Sequence, residues 1–513
     1  MIRQILQRSA RAGDLRRARV LLLCWLACSP GCEQAWRGAR SVERGGEPEG
    51  WESGEVGKVG RPAPSAGGSA RSRDLCRARG HRDRENCAER VSGGVDWPRL
   101  LGPEGNSKSP ETGIRKDWGE CGPAIVWHRP LGTSYGIGSV ADGRFFQFDR
   151  YGDQARLTCL DSRTGEFLWK YEYPTDYEDL LGYNNGPRCS PLIDEGLVYL
   201  FGAEGQLHCV RADNGKQVWH VDTAKKFGVV QNFFGVGSTP VVEGNLLIVM
   251  VGGSPAESQD AGRYDLDRAA GNGTGIVAFD KWTGEVNYAI TDELASYATP
   301  QLATIHGRRW CFAFARGGLV GFEPRSGEAD FHYPWRARLR DSVNASTPVV
   351  VGDEVFISET YGPGSSLLRV RPGAYTVVWK DPSGRNKAMQ THWNTPVYHE
   401  GYLYGSSGRH SSEAELRCIE WKTGKVMWSE PRLRRASLLY VDGHFVCLSE
   451  DGVLRLVQAN QDRYVEVAQS VVREATGGPP LIKPPAWSAP VLSHGLLYVR
   501  GDDRLVCMRL IQD

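Results

Sequence analysis

Short runs of apolar residues alternate with tight turns along this chain, from about residue 138 to the C-terminus. In one stretch, Ser190-Pro191-Leu192-Ile193-Asp194 is followed by the turn Glu195-Gly196 and by the apolar run Leu197–Phe201. Two further glycine-containing turns separate two further runs, the last of which is Gln217–Trp219. Runs of this length predict short strands, and the tight turns between them predict antiparallel pairing. The stretch is therefore predicted to form one four-stranded antiparallel sheet.

The same arrangement returns eight times. Six of the eight units open with a small residue followed by proline: Ser190-Pro191, Thr239-Pro240, Thr299-Pro300, Thr347-Pro348, Thr395-Pro396 and Ala489-Pro490. Gly138-Ser139 and Ser437-Leu438 open the other two. A unit of this size cannot bury its hydrophobic face alone and must stack on its neighbours. We therefore predict an all-β fold, an eight-bladed β-propeller of four-stranded antiparallel blades, with seven blades as the alternative.

The last turn of the unit is its most regular part. A small or apolar residue stands six positions before a glycine, and an aromatic residue stands four positions after it, as in Cys159, Gly165 and Trp169. The first of these positions holds Cys159, Cys209, Cys418 and Cys507 in four units, and Ala278, Gly321, Val370 and Leu456 in the others. A position that accepts all these residues is predicted to be a packing position, so the 13 cysteines do not indicate a disulfide framework. We expect the aromatic side chain to pack between neighbouring blades.

Closure of the ring can also be predicted. The eighth unit, Pro490–Leu510, ends without an aromatic strand, whereas the orphan strand Pro123–Trp127 precedes the first unit. If this N-terminal strand completes the last blade, no sheet edge stays open at the junction. The predicted aromatic positions are then Trp127, Trp169, Trp219, Tyr288, Phe331, Trp379, Trp428 and Tyr464.

The repeat also resembles a known family. The pattern L-x-C/A-L-D-x-x-T-G-x-x-x-W, with Asp161–Gly165 at the centre of its clearest copy, resembles the PQQ-like repeat of quinoprotein alcohol dehydrogenases and BamB-type outer-membrane assembly lipoproteins. The opening Asp96–Pro103 also resembles a group of PQQ-like propeller proteins common in planctomycete bacteria. The resemblance implies one PQQ-like propeller over residues 95–513. For activity it leaves a PQQ- and calcium-dependent oxidoreductase and a BamB-like assembly adaptor as alternatives to a non-catalytic binding or scaffold protein.

Catalytic and cofactor motifs are scarce in the chain. By the resemblance, a quinoprotein dehydrogenase holds its quinone against two adjacent bonded cysteines and binds calcium through carboxylates, but this chain has no adjacent cysteines. HExxH and GxxxxGK[ST] are also absent, and the glycine-rich segment Gly271–Gly275 leads into a predicted strand. We therefore expect no catalytic residues, no metal and no cofactor, with PQQ and calcium as the alternative.

Charge is unevenly distributed along the chain. Residues 1–94 contain 18 Lys and Arg against 11 Asp and Glu, whereas the remainder contains 44 against 50. Such a mildly acidic body lacks the basic face of a nucleic-acid-binding protein, so no nucleic acid is expected as a partner. Separately, we expect the protein to be a monomer.

The N-terminal residues resemble an export signal. An arginine-rich start precedes the apolar run Val20–Cys28, which is too short to span a bilayer but has the length of a signal-peptide core. We predict a leader over residues 1–32, a disordered linker rich in Gly, Arg and Ser over 33–94, and a periplasmic or cell-envelope location. Cys28 and Cys32 each follow a small residue, as in a lipoprotein cleavage site, so an N-terminal lipid anchor is the only membrane attachment that we expect.

The segments that precede the openings are the candidate site. In a propeller they cross one face toward the axis, and here they are rich in amides, arginine, histidine and aromatic residues. Amide and arginine donors recognise hydroxyl or carboxylate groups, and tryptophan faces pack against sugar rings or apolar peptide groups. We predict a funnel that binds a protein partner or an extended saccharide or peptide; alternatively, these groups bond to one another and close the funnel. The predicted recognition residues are Arg188, Asn232, Tyr297, Asn344, His392, Trp393 and Trp487.

Overall fold

The computed structural model describes residues 94–261, 265–338 and 343–512. The predicted leader, with Cys28 and Cys32, and the predicted linker up to residue 93 lie outside the described residues. Among the described residues, 32 strands form eight four-stranded sheets, in which every strand is antiparallel to its neighbours. This confirms the predicted eight-bladed propeller.

The blades are numbered in chain order, and the strands of each blade are given from the innermost to the outermost. Blade 1 contains β2 (Ser139–Ala141), β3 (Arg144–Tyr151), β4 (Gln154–Asp161) and β5 (Phe167–Pro174). Blade 2 contains β6 (Leu192–Asp194), β7 (Leu197–Phe201), β8 (Gln206–Arg211) and β9 (Gln217–Asp222). Blade 3 contains β10 (Val241–Glu243), β11 (Leu246–Met250), β12 (Ile276–Asp280) and β13 (Val286–Ile290). Blade 4 contains β14 (Gln301–Ile305), β15 (Arg308–Phe314), β16 (Gly318–Phe322) and β17 (Ala329–Pro334).

The remaining blades repeat this order. Blade 5 contains β18 (Val349–Val351), β19 (Glu354–Glu359), β20 (Gly364–Arg371) and β21 (Ala374–Lys380). Blade 6 contains β22 (Val397–His399), β23 (Tyr402–Ser407), β24 (Glu415–Glu420) and β25 (Val426–Pro431). Blade 7 contains β26 (Ala436–Val441), β27 (His444–Ser449), β28 (Val453–Gln458) and β29 (Glu466–Val471). Blade 8 contains β30 (Val491–Ser493), β31 (Leu496–Arg500), β32 (Arg504–Arg509) and, outermost, β1 (Ala124–Pro130).

The N-terminal strand closes the ring as predicted. β1 pairs with β32, and Trp127 lies opposite Cys507. A buried ion pair joins the same two blades, because Arg500 of blade 8 donates to Asp149 of blade 1 at 3.1 Å. The last blade therefore combines the two ends of the propeller sequence.

Each blade has a β-bulge at the same place, between its third and outermost strands. The residue pair beside the bulge is the packing position and its aromatic partner: Cys159 and Trp169, Cys209 and Trp219, Ala278 and Tyr288, Gly321 and Phe331, Cys418 and Trp428, and Cys507 and Trp127. The four cysteines in these pairs are buried and free, which agrees with a packing role.

Two blades depart from the predicted spacing. In blade 5 the packing position opposite Trp379 is Leu367, and the predicted Val370 instead lies opposite Tyr375, because only Pro372 and Gly373 separate β20 from β21. In blade 7 the residue opposite Leu456 is Ala468, so the predicted aromatic position Tyr464 was wrong. The turn between β28 and β29 is longer there and places Tyr464 before the strand, with its ring edge-on to Trp428 at 5.9 Å.

The aromatic side chains fill the seams between blades. Five of them pack over the turn glycine of the next blade: Trp127, Trp169, Trp219, Tyr288 and Trp379. A Cβ atom on Gly284, for example, would lie 2.8 Å from the Trp219 ring. Trp219 Nε1 also donates to the backbone oxygen of Lys281, at 2.9 Å, in the same turn. Gly284 has a φ of 75°, so both the backbone and the approaching ring require glycine.

The openings of the blades are linked by hydrogen bonds around the axis. The backbone N–H of Ser190 donates to Thr239 Oγ1 at 3.2 Å, and that of Thr239 donates to Thr299 Oγ1 at 3.2 Å. Thr347 donates in the same way to Thr395 at 3.0 Å. The recurring hydroxyl residue before proline therefore satisfies a buried backbone donor of the preceding blade.

Residues 94–118 cover the end of the axis opposite these openings. Trp97 forms an antiparallel bridge with Val140 of blade 1, and Ser109 donates to the backbone of Tyr440 of blade 7 at 2.9 Å. Asp96 lies 3.0 Å from His494 of blade 8. The segment thus ties the inner strands of separate blades together.

Helices are few among the described residues. One short α-helix, α1 (Thr223–Phe227), follows blade 2, and two 3-10 helices, Ala256–Ala261 and Leu266–Arg268, lie between β11 and β12. No helix in the part of the chain that the structure describes has the length and hydropathy to cross a membrane.

We predict that Trp219→Ala destabilises the protein by about 3–5 kcal/mol, because it empties a seam and removes a buried hydrogen bond. The side chain of Trp219 is 8% exposed, whereas that of Trp282, in the turn it packs against, is 42% exposed. Trp282→Ala is therefore the matched control and should cost under about 1 kcal/mol. Urea unfolding checks both values, and equal losses would contradict the seam assignment.

Candidate functional site

The connections between blades and the hairpins between second and third strands lie at the same end of the blades, because neighbouring strands are antiparallel. We call this end the funnel face. All seven predicted recognition residues lie on connections at this face: Arg188, Asn232, Tyr297, Asn344, His392, Trp393 and Trp487. The structure divides them into three groups.

His392, Trp393 and Trp487 are brought together in a row of five aromatic rings. The row also contains Tyr135, 4.8 Å from Trp487, and Tyr361, 5.7 Å from His392, by ring centroids. Within the row, Trp393 lies 5.0 Å from Trp487 and 5.0 Å from His392. All five side chains are half-buried. We call these five residues the aromatic row.

An arginine lies against the middle of the aromatic row. The guanidinium carbon of Arg435 is 4.4 Å from the centroid of Trp393 and 5.5 Å from that of Trp487. Glu450 pairs with Arg435 at 2.6 Å and accepts a hydrogen bond from Trp487 Nε1 at 2.9 Å. Burial by itself would raise the pKa of Glu450, but the hydrogen bonds and charge of Arg435 outweigh burial and lower it. The ion pair therefore holds both the arginine and Trp487 in place.

Two polar atoms of the aromatic row lack hydrogen-bond partners among the described residues. These are Trp393 Nε1 and His392 Nδ1. The other ring nitrogen of His392 lies 3.2 Å from the Tyr361 hydroxyl. Burial, and then the nearby charges of Arg435 and Arg409, hold the pKa of His392 well below its usual value, so the ring is neutral.

Arg188 lies beside the aromatic row but is fully engaged. It forms an ion pair with Asp179 and donates to the backbone oxygens of Gly186 at 2.8 Å and Asn184 at 2.9 Å. Its guanidinium carbon is 5.8 Å from the centroid of Tyr135, the first ring of the row. Arg188 therefore holds the connection before blade 2 against the row.

Asn232, Tyr297 and Asn344 lie on the other side of the funnel face and bond within the protein. Asn232 Nδ2 donates to the backbone of Ala295 at 3.1 Å, and Tyr297 Oη accepts from the backbone of Phe234 at 2.9 Å. Asn344 is buried, and its Nδ2 donates to the backbone of Ala315 at 2.7 Å. Asn232 and Tyr297 join neighbouring connections, and Asn344 joins its connection to the hairpin between β15 and β16, as the closed-funnel alternative describes.

A cavity of about 390 Å³ opens beside blades 2 and 3 on the funnel face. Its polar lining includes Asn232 together with Asp176, Tyr177, Glu178, Glu204, Ser296 and Arg316. We call it the side cavity. The sequence did not reveal Asp176, Tyr177 and Glu178, which lie on the connection after β5, or Glu204 and Arg316, which lie in hairpins between second and third strands. The charged residues in these hairpins are the sequence signal that could have identified Glu204 and Arg316.

The side chains on the funnel face differ from those that the resemblance implies for binding a quinone with calcium. No group of three or more His, Cys, Asp or Glu side chains in the described residues has a metal-binding arrangement. The funnel face instead carries aromatic rings, an ion-paired arginine and the buried apolar residues Val230, Phe233, Leu266 and Val343. The eight described cysteines are free, and seven of them are buried. The described residues therefore lack the bonded cysteine pair and the carboxylate group that the resemblance implies for that cofactor.

Sequence comparison identifies the family. A family model described as outer membrane protein assembly factor BamB matches residues 122–254 and 182–430, which together make up more than half of the chain. The chain belongs to this family of PQQ-like repeat propellers. No curated protein matches the chain by sequence. The resemblance to planctomycete members of the family stays a prediction.

A solved structure shows the same fold. A quinohemoprotein alcohol dehydrogenase from Comamonas testosteroni matches 82% of this chain and 81% of its own, with a TM-score of 0.55 and 12% identity. BamB from Moraxella catarrhalis matches 76% of this chain and 98% of its own, with a TM-score of 0.48 and 13% identity. At such identities the likeness concerns the fold and not the activity.

We predict that His392 makes the stability of this propeller fall in acid. Because the folded state lowers the pKa of His392, the unfolded state binds one more proton below about pH 6.5, and stability is lost as the pH falls from there. Between pH 8 and pH 5, His392→Gln should therefore lose about 1–2 kcal/mol less than the unchanged protein. Urea unfolding at both pH values measures this difference. His306→Gln, at an exposed histidine, is the control and should behave like the unchanged protein.

Proposed function

We propose that this protein is a non-catalytic binding or scaffold propeller that recognises a protein partner or an extended saccharide or peptide on its funnel face. The observation that carries the proposal is the aromatic row, in which five half-buried rings follow one another at about 5 Å. An extended chain has successive sugar rings or side chains, which suit such a series of flat apolar surfaces.

The polar groups of the row support recognition as well. A buried polar atom without a partner costs about 1–3 kcal/mol, so a ligand that reached Trp393 Nε1 or His392 Nδ1 would gain by making a hydrogen bond. Arg435, held by Glu450, adds a charged donor against the same rings. Flat surfaces bordered by a few directed polar groups are typical of binding sites.

The row favours binding over catalysis. His392 Nε2 contacts the Tyr361 phenol, and no described nucleophile or carboxylate is hydrogen-bonded to either ring nitrogen. A nucleophile with its base, or an acid with a tuned pKa facing the open side, would be the arrangement expected for an enzyme. We therefore propose that the protein acts without a cofactor.

Location and partners follow from the family and from the N-terminal residues. The family description names an outer membrane assembly factor, and the leader-like residues 1–32 favour export, so we propose a periplasmic or cell-envelope monomer. A lipid on Cys28 or Cys32 would attach it to a membrane.

The second candidate function is a BamB-like assembly adaptor, which the family description favours. Since the outermost strand of each blade, including β1, pairs on one side only, such an adaptor would contact its partner through loops or through these outer edges.

The test is binding of the full-length protein to arrayed glycans and arrayed cell-envelope peptides. We expect the unchanged protein to bind one of these classes, and Trp393→Ala and Trp487→Ala each to weaken that binding at least tenfold, because each removes a contact ring. Trp282→Ala is the matched control, since Trp282 lies in an exposed turn at the opposite end of blade 3.

Thermal unfolding of all three variants separates loss of binding from loss of fold. Binding that survives in both row variants would contradict the proposal. So would the same loss in the Trp282 control.

A further inference from the structure

The side cavity is separate from the aromatic row and has its own chemistry. It is lined by the connection that follows β5, by the hairpin between β7 and β8 and by the connection that follows β9. Its volume of about 390 Å³ is at the small end of the range for ligand pockets. The aromatic row contributes no residue to the lining.

Carboxyl groups dominate the charge of the side cavity. Asp176 and Glu178 are exposed members of its lining, and Glu204 is a half-buried one. None of the three forms an ion pair with a described residue. The cation in the lining, Arg316, pairs with Asp267 at 3.2 Å, and Asp267 also pairs with Arg336. The carboxylates are therefore not neutralised by the wall around them.

Buried polar atoms of the lining also lack partners. Tyr177 is 4% exposed, and its hydroxyl has no hydrogen-bond partner among the described residues. The same holds for Glu204 Oε1. Burial raises the pKa of Glu204 above its usual value, and the neighbouring hydroxyl groups of Tyr173 and Thr175 offset this only in part. A cation in the cavity would supply the remaining compensation.

Two exposed apolar side chains lie on the connection that carries Asp176 and Glu178. These side chains are Leu181 and Tyr183. The ring of Tyr183 lies 6.0 Å from that of Phe234, which is two residues from Asn232 in the cavity lining. Exposed apolar side chains next to a charged cavity indicate a ligand with a charged group and apolar neighbours.

We propose that the side cavity binds a lysine or arginine side chain of a peptide segment. The ammonium or guanidinium group lies against Glu204, with Asp176 and Glu178 nearby. An apolar side chain next to the bound residue packs on Leu181 and Tyr183. A cationic side chain fits because its long aliphatic part suits the apolar half of the lining while its end group meets the carboxylates.

The probe is the fluorescein-labelled peptide acetyl-Leu-Lys-Leu-amide, titrated with the full-length protein and followed by fluorescence anisotropy. The comparison peptide carries acetyl-lysine, which has nearly the same shape but no charge. We expect the acetylated peptide to bind at least tenfold more weakly. Binding of the lysine peptide should also weaken as the salt concentration rises.

Variants test each part of the lining. Glu204→Gln should weaken binding of the lysine peptide at least tenfold. The double variant Asp176→Asn with Glu178→Gln, at exposed positions that do not threaten folding, should weaken it about three- to tenfold and reduce its salt dependence. Glu285→Gln, at an exposed carboxylate on the opposite face, is the matched control and should leave binding unchanged.

Trp393→Ala should also leave this binding unchanged, so the side cavity is tested separately from the aromatic row. Three results would overturn the inference: no binding of the lysine peptide, equal binding of the acetylated peptide, or full binding by the exposed double variant.

Discussion

The contact between an aromatic ring and the turn glycine of the next blade is the interaction on which this propeller depends. A propeller blade has little regular pairing to its neighbours, so the blades must be held together by side chains. Here the ring of one blade occupies the space that a Cβ atom would take in the next, as at Trp127 over Gly165 and Trp169 over Gly215. A hydrogen bond from the ring to the same turn, such as that from Trp127 Nε1 to the backbone oxygen of Ser162 at 3.1 Å, also fixes the orientation of the ring. The seam thus fixes both the spacing and the angle of adjacent blades.

Other contacts act on the ring as a whole. The hydroxyl groups at the openings connect blades near the axis, and residues 94–118 join separate blades at the opposite end. The Arg500 and Asp149 pair is buried across the junction of blades 8 and 1, where β1 completes the last sheet. With the framework held in this way, the connections on the funnel face can carry side chains that do not contribute to the core.

Local spacing explains how much of the fold could be predicted from the sequence. Cys159, Gly165 and Trp169 lie within one hairpin, so their spacing reports directly on the strand register. The same rule failed at Val370 and Tyr464, because a shorter and a longer turn changed the register without changing the apolar pattern. The bridges formed by residues 94–118 were missed, since the pairing of Trp97 with Val140 has no local spacing to reveal it.

The sequence predicts on which face the candidate-site residues lie, but not which hydrogen bonds they form. Topology alone places His392, Trp393 and Trp487 on one face, and the structure brings them into one row. Which polar groups are satisfied depends on contacts between distant loops, such as Asn232 with Ala295, or Trp487 with Glu450. The side cavity was missed for the same reason, because its lining comes from several separate segments.

The pairing of β1 with β32 has a consequence for how the protein is made. The strand that leaves the ribosome before every other strand of the propeller has its partner in the strand that leaves after all of them. During synthesis Trp127 cannot reach Cys507, so the ring stays open until translation of the propeller is complete. Blade 8 is therefore the last to form, and its assembly converts an open array of sheets into a closed circle.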